Sequence, residues 1–218
     1  MTQSRMPVVR PRSAVVVGAI AIAVCIGGGL VILMLGNRPL PLDTAWFDFS
    51  NDTRSPLILS LSLFLNDAGA QVIVGVVVPV VAAILFAIRR RGWAAVAVLL
   101  CGITSAPLVN VIKSFLERPR PGDQLISVSL SAYPSGHVAN LSATVVVLAL
   151  ILGWRWLRVV AVLLVAAMAL SRTYVNVHWI TDDIGGLLLG YGLALVVWGV
   201  LADRVRAEAD TRRSRSRA

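Results

Sequence analysis

Charge is scarce in this sequence, and histidine and cysteine are scarcer still. Only 14% of the 218 residues are Asp, Glu, Lys or Arg, and the chain holds two histidines and two cysteines. With 57% hydrophobic residues and a mean hydropathy of +0.82, a single water-soluble domain is excluded, because it could not cover so much apolar surface. Cys25 and Cys101 both lie inside apolar runs, which excludes a disulfide framework and makes them small hydrophobic filler. A formal charge of +9 would suit nucleic acid, but such binders gather their basic residues on one solvated face. Here the basic residues fall in short clusters between apolar runs, so nucleic acid is excluded as a partner. No internal repeat is present.

What the sequence does have is apolar runs long enough to cross a bilayer, which takes about 20 residues of helix. Six are predicted: Ala14 to Leu35, Gly69 to Ile88, Trp93 to Ile112, Val138 to Leu152, Leu157 to Leu170 and Ile184 to Ala202. The first follows Arg5, Arg10 and Arg12 but is too long for a signal peptide and has no small-residue cleavage site, so it reads as a retained span. All six tryptophans (Trp46, Trp93, Trp154, Trp156, Trp179 and Trp198) fall near the ends of these runs, where an amphipathic ring suits the headgroup layer.

Fourteen Lys and Arg residues fall on the side of the two termini and six on the other, which predicts cytoplasmic termini. Eight of the eleven acidic residues lie on the opposite, outer side. There the segment 37–68 contains Pro56 to Leu65, too short to span and expected as an interfacial helix. The expected architecture is all-α: a single six-helix membrane domain over residues 1–202, followed by a basic, disordered cytoplasmic tail over 203–218 that touches anionic headgroups.

Both histidines, His137 and His178, fall at the outer interface among polar groups that suit a phosphate. Lys113 closes the third span and Arg120 follows seven residues later, before Pro121. A point charge and a planar fork together match several phosphate oxygens; alternatively Lys113 snorkels and Arg120 is a solvated loop charge. Pro134-Ser135-Gly136-His137 opens the fourth span, with Ser135 as N-cap and free first-turn amides suited to an anion; Gly136 allows close approach. An ordinary capped helix start would look the same. Ser171-Arg172 closes the fifth span. His178 and Asp182 are four residues apart, on one face of a helix, where a carboxylate can orient an imidazole. Asp183 points off that face and reads as an acidic first-turn residue.

Lys113 with Arg120-Pro121, then Pro134-Ser135-Gly136-His137, then Ser171-Arg172 with His178 and Asp182, resembles all three signature segments of the type 2 phosphatidic acid phosphatases, spacing included. The resemblance spans residues 113 to 182, and the six spans resemble the membrane branch of that family. The resemblance implies that His178 attacks phosphorus to form a phosphohistidine, Asp182 orients it and His137 protonates the leaving oxygen. It implies that Lys113, Arg120, Arg172, Ser135 and the Gly136 amide bind the phosphoryl oxygens, with no metal or other cofactor. Arg118 offers a second Arg-Pro pair that could hold a second phosphate. Segment 122–133 is short, which leaves little room for extra recognition structure.

Three other readings compete. His137, His178 and Asp182 could ligate a metal, but the cations around them would repel it. Ser135 could act as a protease nucleophile, which leaves the arginines without a role. A transporter or non-catalytic lipid-phosphate binder would need polar residues along several spans, and these spans are nearly bare of charge. The expected partners are therefore a lipid phosphate and the bilayer, with oligomeric state left open. The Arg-rich, Ala- and Val-rich composition suggests a bacterial inner membrane with the site on the periplasmic or extracellular face. Polyprenyl diphosphate is the first expectation for substrate, ahead of phosphatidylglycerol phosphate and phosphatidic acid.

Overall fold

A computed structural model describes residues 10–69, 72–128 and 131–215. Arg5, the end of the basic tail, residues 70–71 of the predicted second span and residues 129–130 of the loop 122–133 lie outside those residues. The described chain is helical throughout and has no strand. In order, the helices are α1 (Pro11–Met34), α2 (Pro41–Asp52), α3 (Pro56–Ala68), α4 (Val78–Ile88, preceded by a π-helical turn, Ile73–Val77), α5 (Gly92–Leu116), α6 (Gly136–Leu152), α7 (Arg155–Tyr174) and α8 (Ile180–Arg215).

Proline starts the first three helices, where its missing N–H leaves no hydrogen bond unmade. Residues at positive φ end several others: Glu117 after α5 (φ 48) and Gly153 after α6 (φ 72). Helices α1, α5, α7 and α8 are each long and apolar enough to cross a membrane. A fifth crossing is possible through α3 and the segment Ile73–Ile88, which meet at a bend of 47°, and α6 is a shorter apolar helix. Large hydrophobic side chains such as Ile20, Val24, Ile84 and Leu163 are exposed along α1, α4 and α7, far more apolar surface than a soluble protein leaves bare. This is an integral membrane protein.

Helix α8 is the central post, packed against α1 on one side and α6 on the other. A Cβ on Gly190 would lie 2.2 Å from the Ala139 carbonyl oxygen, and one on Gly186 would lie 2.5 Å from that of Ser135. On the α1 side, Gly18 and Gly192 each face the other's carbonyl at 2.6 and 2.7 Å from where a Cβ would sit. Without a hydrophobic drive between helices inside lipid, such close backbone approach is what makes dispersion packing effective.

Several expectations need correction. The segment 37–68 contains two helices rather than one, because Pro41 starts α2 and Asp43 caps it by accepting from Leu40 N at 2.8 Å. The tail was expected to be disordered from Asp203, but α8 runs on to Arg215. Its continuation is tied back: Glu208 Oε1 accepts from Trp93 N at the start of α5 at 2.8 Å, and the Arg204 guanidinium lies 4.3 Å from the Trp93 ring centroid. Trp198, expected to face the headgroup layer, turns inward instead. It is 2% exposed and packs in the core with Val98, Val147 and Ala202, because the helix it was expected to terminate continues past it.

Candidate active site

Four helix ends meet at one end of the bundle. The C-terminal turns of α5 and α7 bring Lys113 and Arg172, and the N-termini of α6 and α8 bring His137 and Asp182. Between these ends run the loops that carry Arg120, Ser135 and His178. The structure therefore gathers the predicted site residues, although they span 70 positions from Lys113 to Asp182.

The ends are held by backbone acceptors. Lys113 Nζ donates to the carbonyls of Ser131 and Ala132, the latter at 3.2 Å, which fixes the strap leading through the cis Tyr133-Pro134 bond into α6. Ser135 N donates to the Asp182 carbonyl at 2.9 Å and so locks the start of α6 to the start of α8. Arg172 is 1% exposed and donates to Asn66 Oδ1 at the end of α3. Arg120 donates to the Val177 carbonyl, and its guanidinium nitrogen lies 3.3 Å from His178 Nε2.

That last contact decides the tautomer of His178. A guanidinium can only donate, so Nε2 must present its lone pair and the proton must sit on Nδ1. Nδ1 faces Asp182 Oδ2 at 3.6 Å, a charge contact longer than a hydrogen bond. Such contacts tighten when substrate binds. His178 is 4% exposed. Its burial, and then the charges of Lys113, Arg120 and Arg172, hold its pKa well below the ordinary value. The result is an uncharged imidazole with its lone pair among three cations. Arg120 is also pushed down, first by burial.

His137 lies within the field of the same three cations, Arg172, Arg120 and Lys113. Ser135 occupies the N-cap position, but its hydroxyl caps nothing. The Ser135 hydroxyl lies beside the Asp183 carboxylate, and both side chains are buried. Asp183 was expected as a solvated first-turn acid and is instead 2% exposed, because α8 begins against α6 rather than at a surface. A cleft of ≈ 860 Å³ runs along Lys113, Arg118, Arg120, Gln124 and Ser131. On the other side an apolar groove of ≈ 780 Å³ between α7 and α8 has Asp183 at its head.

Arg118 differs most from expectation. It was a candidate for a second phosphate, but its guanidinium is fully buried between two carboxylates, 2.6 Å from Asp43 and also bonded to Asp182. Sequence reasoning missed Asp43, Asn66 and Thr181 as neighbours of the site. Asp43 had one signal, an acidic residue two positions after Pro41; Asn66 had none.

Residues 92–206 match the model of the PAP2 superfamily. The chain belongs to the PAP2 superfamily. It is a membrane phosphatase, similar to phosphatidylglycerophosphatase B of Bacillus subtilis (28% identity over 156 residues, 67% of this chain and 76% of that one). It is also similar to an undecaprenyl-diphosphatase of Sulfolobus acidocaldarius (27% over 171 residues, 72% and 78%). The PAP2 fold is shared with the crystal structure of a transmembrane PAP2-type phosphatidylglycerolphosphate phosphatase from Bacillus subtilis, at a TM-score of 0.68 and 24% identity over 88% of this chain and 95% of the other. The match to the PAP2 model covers Lys113, Arg120, His137, Arg172, His178 and Asp182 and leaves Asp43 outside.

Proposed function

We propose that this protein hydrolyses a lipid phosphate or diphosphate without a metal, through a phosphohistidine on His178, at the membrane–water interface. The observation that carries this reading is the neutral His178 ring, with its Nε2 lone pair turned toward Arg120 and within the field of Lys113 and Arg172. Phosphoryl transfer needs mainly alignment and neutralisation of the equatorial oxygens. In the first step Nε2 forms a bond to phosphorus while the bond from phosphorus to the lipid oxygen breaks, and His137 delivers its proton to that oxygen. Three cations crowd His137, and the arriving phosphate dianion supplies the counter-charge its protonated form needs. In the second step a water oxygen attacks phosphorus, its proton passes to His137, the N–P bond breaks and phosphate leaves. Asp182 holds the Nδ1 proton throughout. Lys113, Arg120, Arg172, the Ser135 hydroxyl and the Gly136 amide take the phosphoryl oxygens.

The same reading has six crossings: α1, the segment Ile73–Ile88, α5, α6, α7 and α8. Helices α2 and α3 lie along the outer interface, both termini are cytoplasmic, and the site faces the periplasm or exterior of a bacterial inner membrane. The charge count along the sequence and the clustering of all site residues at one bundle end support it. Polyprenyl diphosphate is the first choice of substrate. The similarity to an undecaprenyl-diphosphatase supports it, and the similarity to a phosphatidylglycerophosphatase keeps phosphatidylglycerol phosphate second.

The test is phosphate release from a panel of lipid phosphates by detergent-purified protein in excess EDTA, wild type against His178→Ala. Release that survives chelation and is lost in the variant supports the mechanism, and the panel ranks the substrates. Absence of release from wild type on every lipid would point instead to a non-catalytic binder.

A further inference from the structure

The chain of buried charge does not stop at Asp182. Its Oδ2 accepts from Trp179 N at 2.8 Å and faces His178, while its Oδ1 accepts from Arg118. Arg118 reaches on to Asp43 at 2.6 Å, and also donates to Thr181 Oγ1 at 2.8 Å. The Asp43 carboxylate in turn accepts from Thr181 N at 3.0 Å and Thr181 Oγ1 at 2.8 Å, at the first turn of α8. The side chains of Asp43, Arg118 and Asp182 are all 0% exposed.

We propose that Arg118 and Asp43 are positioning residues for the reaction at His178: together they set the orientation and the electrostatic strength of Asp182, and α2 is thereby part of the catalytic unit. The inference rests on the reading of His178 as nucleophile.

Two carboxylates share one guanidinium. Arg118 alone would draw Asp182 to itself and weaken its hold on the imidazole, whereas Asp43 draws the guanidinium the other way and leaves Asp182 partly uncompensated toward His178. Trp179 N holds one oxygen of Asp182 and Arg118 the other, so the carboxylate is fixed at both ends with Oδ2 toward His178. A phosphate role for Arg118 fits poorly, because its terminal nitrogens are already bonded to carboxylates. Burying an ion pair is weak evidence of a gain in stability; a buried network in which both terminal nitrogens of Arg118 are bonded to carboxylates is better explained by the orientation it fixes.

The groups that act on His178 from the elements packed around it are Lys113 of α5, Arg120 of the following loop, His137 of α6, Arg172 of α7 and Asp182 of α8. Asp43 of α2 acts through Arg118. Removing the negative charge of Asp43 therefore makes His178 harder to protonate, and removing the positive charge of Arg118 makes it easier, each by on the order of one pH unit.

The chain has only two histidines, so in a His137→Asn background, purified without a histidine tag, His178 is the sole histidine and its ring nitrogens are read by 15N NMR without turnover. The expected result is a lower protonation midpoint in Asp43→Asn and a higher one in Arg118→Gln. The double variant should return toward the parent, which a misfolded protein would not do. Both single variants should also lose part of the Nδ1–H tautomer. With His137 restored, each lowers kcat about 10-fold with KM unchanged, and Arg118→Lys recovers part of the loss.

Unchanged His178 signals in both variants overturn the proposal. So does an Arg118→Gln enzyme whose KM rises at constant kcat, since Arg118 would then be a phosphate ligand. NMR shifts as expected in a protein that releases no phosphate from any lipid would sink the functional reading alone. Normal release that depends on His178, with flat NMR signals, would sink this inference alone.

Discussion

Replacing Gly190 by alanine adds one methyl group, yet it should act on catalysis more than on folding. Its Cβ would sit 2.2 Å from the Ala139 carbonyl oxygen and 2.8 Å from Ala143 N, both backbone atoms of α6. Neither can rotate aside, so ordinary contact requires α6 and α8 to part by about 1 Å. Helix α6 carries His137 in its first turn, and α8 carries Asp182 two turns before Gly190. The parting therefore falls on the spacing between His137 and the His178–Asp182 pair, the acid and nucleophile of the proposed mechanism. A misplacement of this size costs about 100-fold in rate, while overpacking of one methyl group costs about 1–3 kcal/mol of stability. Phosphate release and thermal unfolding in the same detergent measure the two. The control is Gly27→Ala, whose Cβ meets nothing within 4 Å and which should leave kcat unchanged. A Gly190→Ala enzyme with wild-type kcat would refute the argument that this contact gauges the site.

Two further expectations concern pH and the far end of the bundle. Burial holds His178 in the folded protein well below the ordinary imidazole value of 6.5, so it binds fewer protons than the unfolded chain once the pH falls through that value. Stability is therefore lost on acidification from about pH 7 toward pH 5, at up to about 1.4 kcal/mol per pH unit for this one group. The thermal midpoint measured across that range should fall, and His178→Phe should flatten the slope; an equally steep slope in the variant would assign the effect elsewhere. Glu208→Ala removes the side chain that accepts from Trp93 N at the end of the bundle away from the site. It should cost about 1 kcal/mol or less and leave kcat and KM as they were; altered kinetics would show that the two ends are coupled.

The parts of this molecule that were legible in the sequence are those with a short-range physical signature. Apolar runs announced α1, α5 and α7 because a span must exclude charge over about 20 residues, and a shorter run announced the apolar helix α6. Lys113, Arg120, His137, Arg172, His178 and Asp182 were legible because each sits beside a span end in a motif, and the span ends meet at one level. The features that escaped have partners far away in the chain. Asp43 meets Arg118 across 75 positions, and Arg172 meets Asn66 across 106; nothing local distinguishes these from surface polar residues. The burial of Arg118 and Asp183 was hidden for a related reason, since only the packing of α2, α6 and α8 around a loop arginine and a first-turn acid removes the water from them. The length of α8 was hidden by its own composition. A run rich in Arg, Asp and Glu looks like a tail until Glu208 and Arg204 are seen to engage the start of α5.

The contact between Arg120 and His178 Nε2 has a consequence for selectivity. On the proposed mechanism, the Nε2 lone pair that would attack phosphorus is covered by a guanidinium that also holds the Val177 carbonyl. An uncharged electrophile would have nothing to offer that guanidinium and would find the nitrogen shielded. A phosphate would bring oxygens that compete for the same donors and, in drawing the arginine toward itself, would uncover the nitrogen. Shield and recognition element would then be one side chain, which arms the imidazole for phosphates alone.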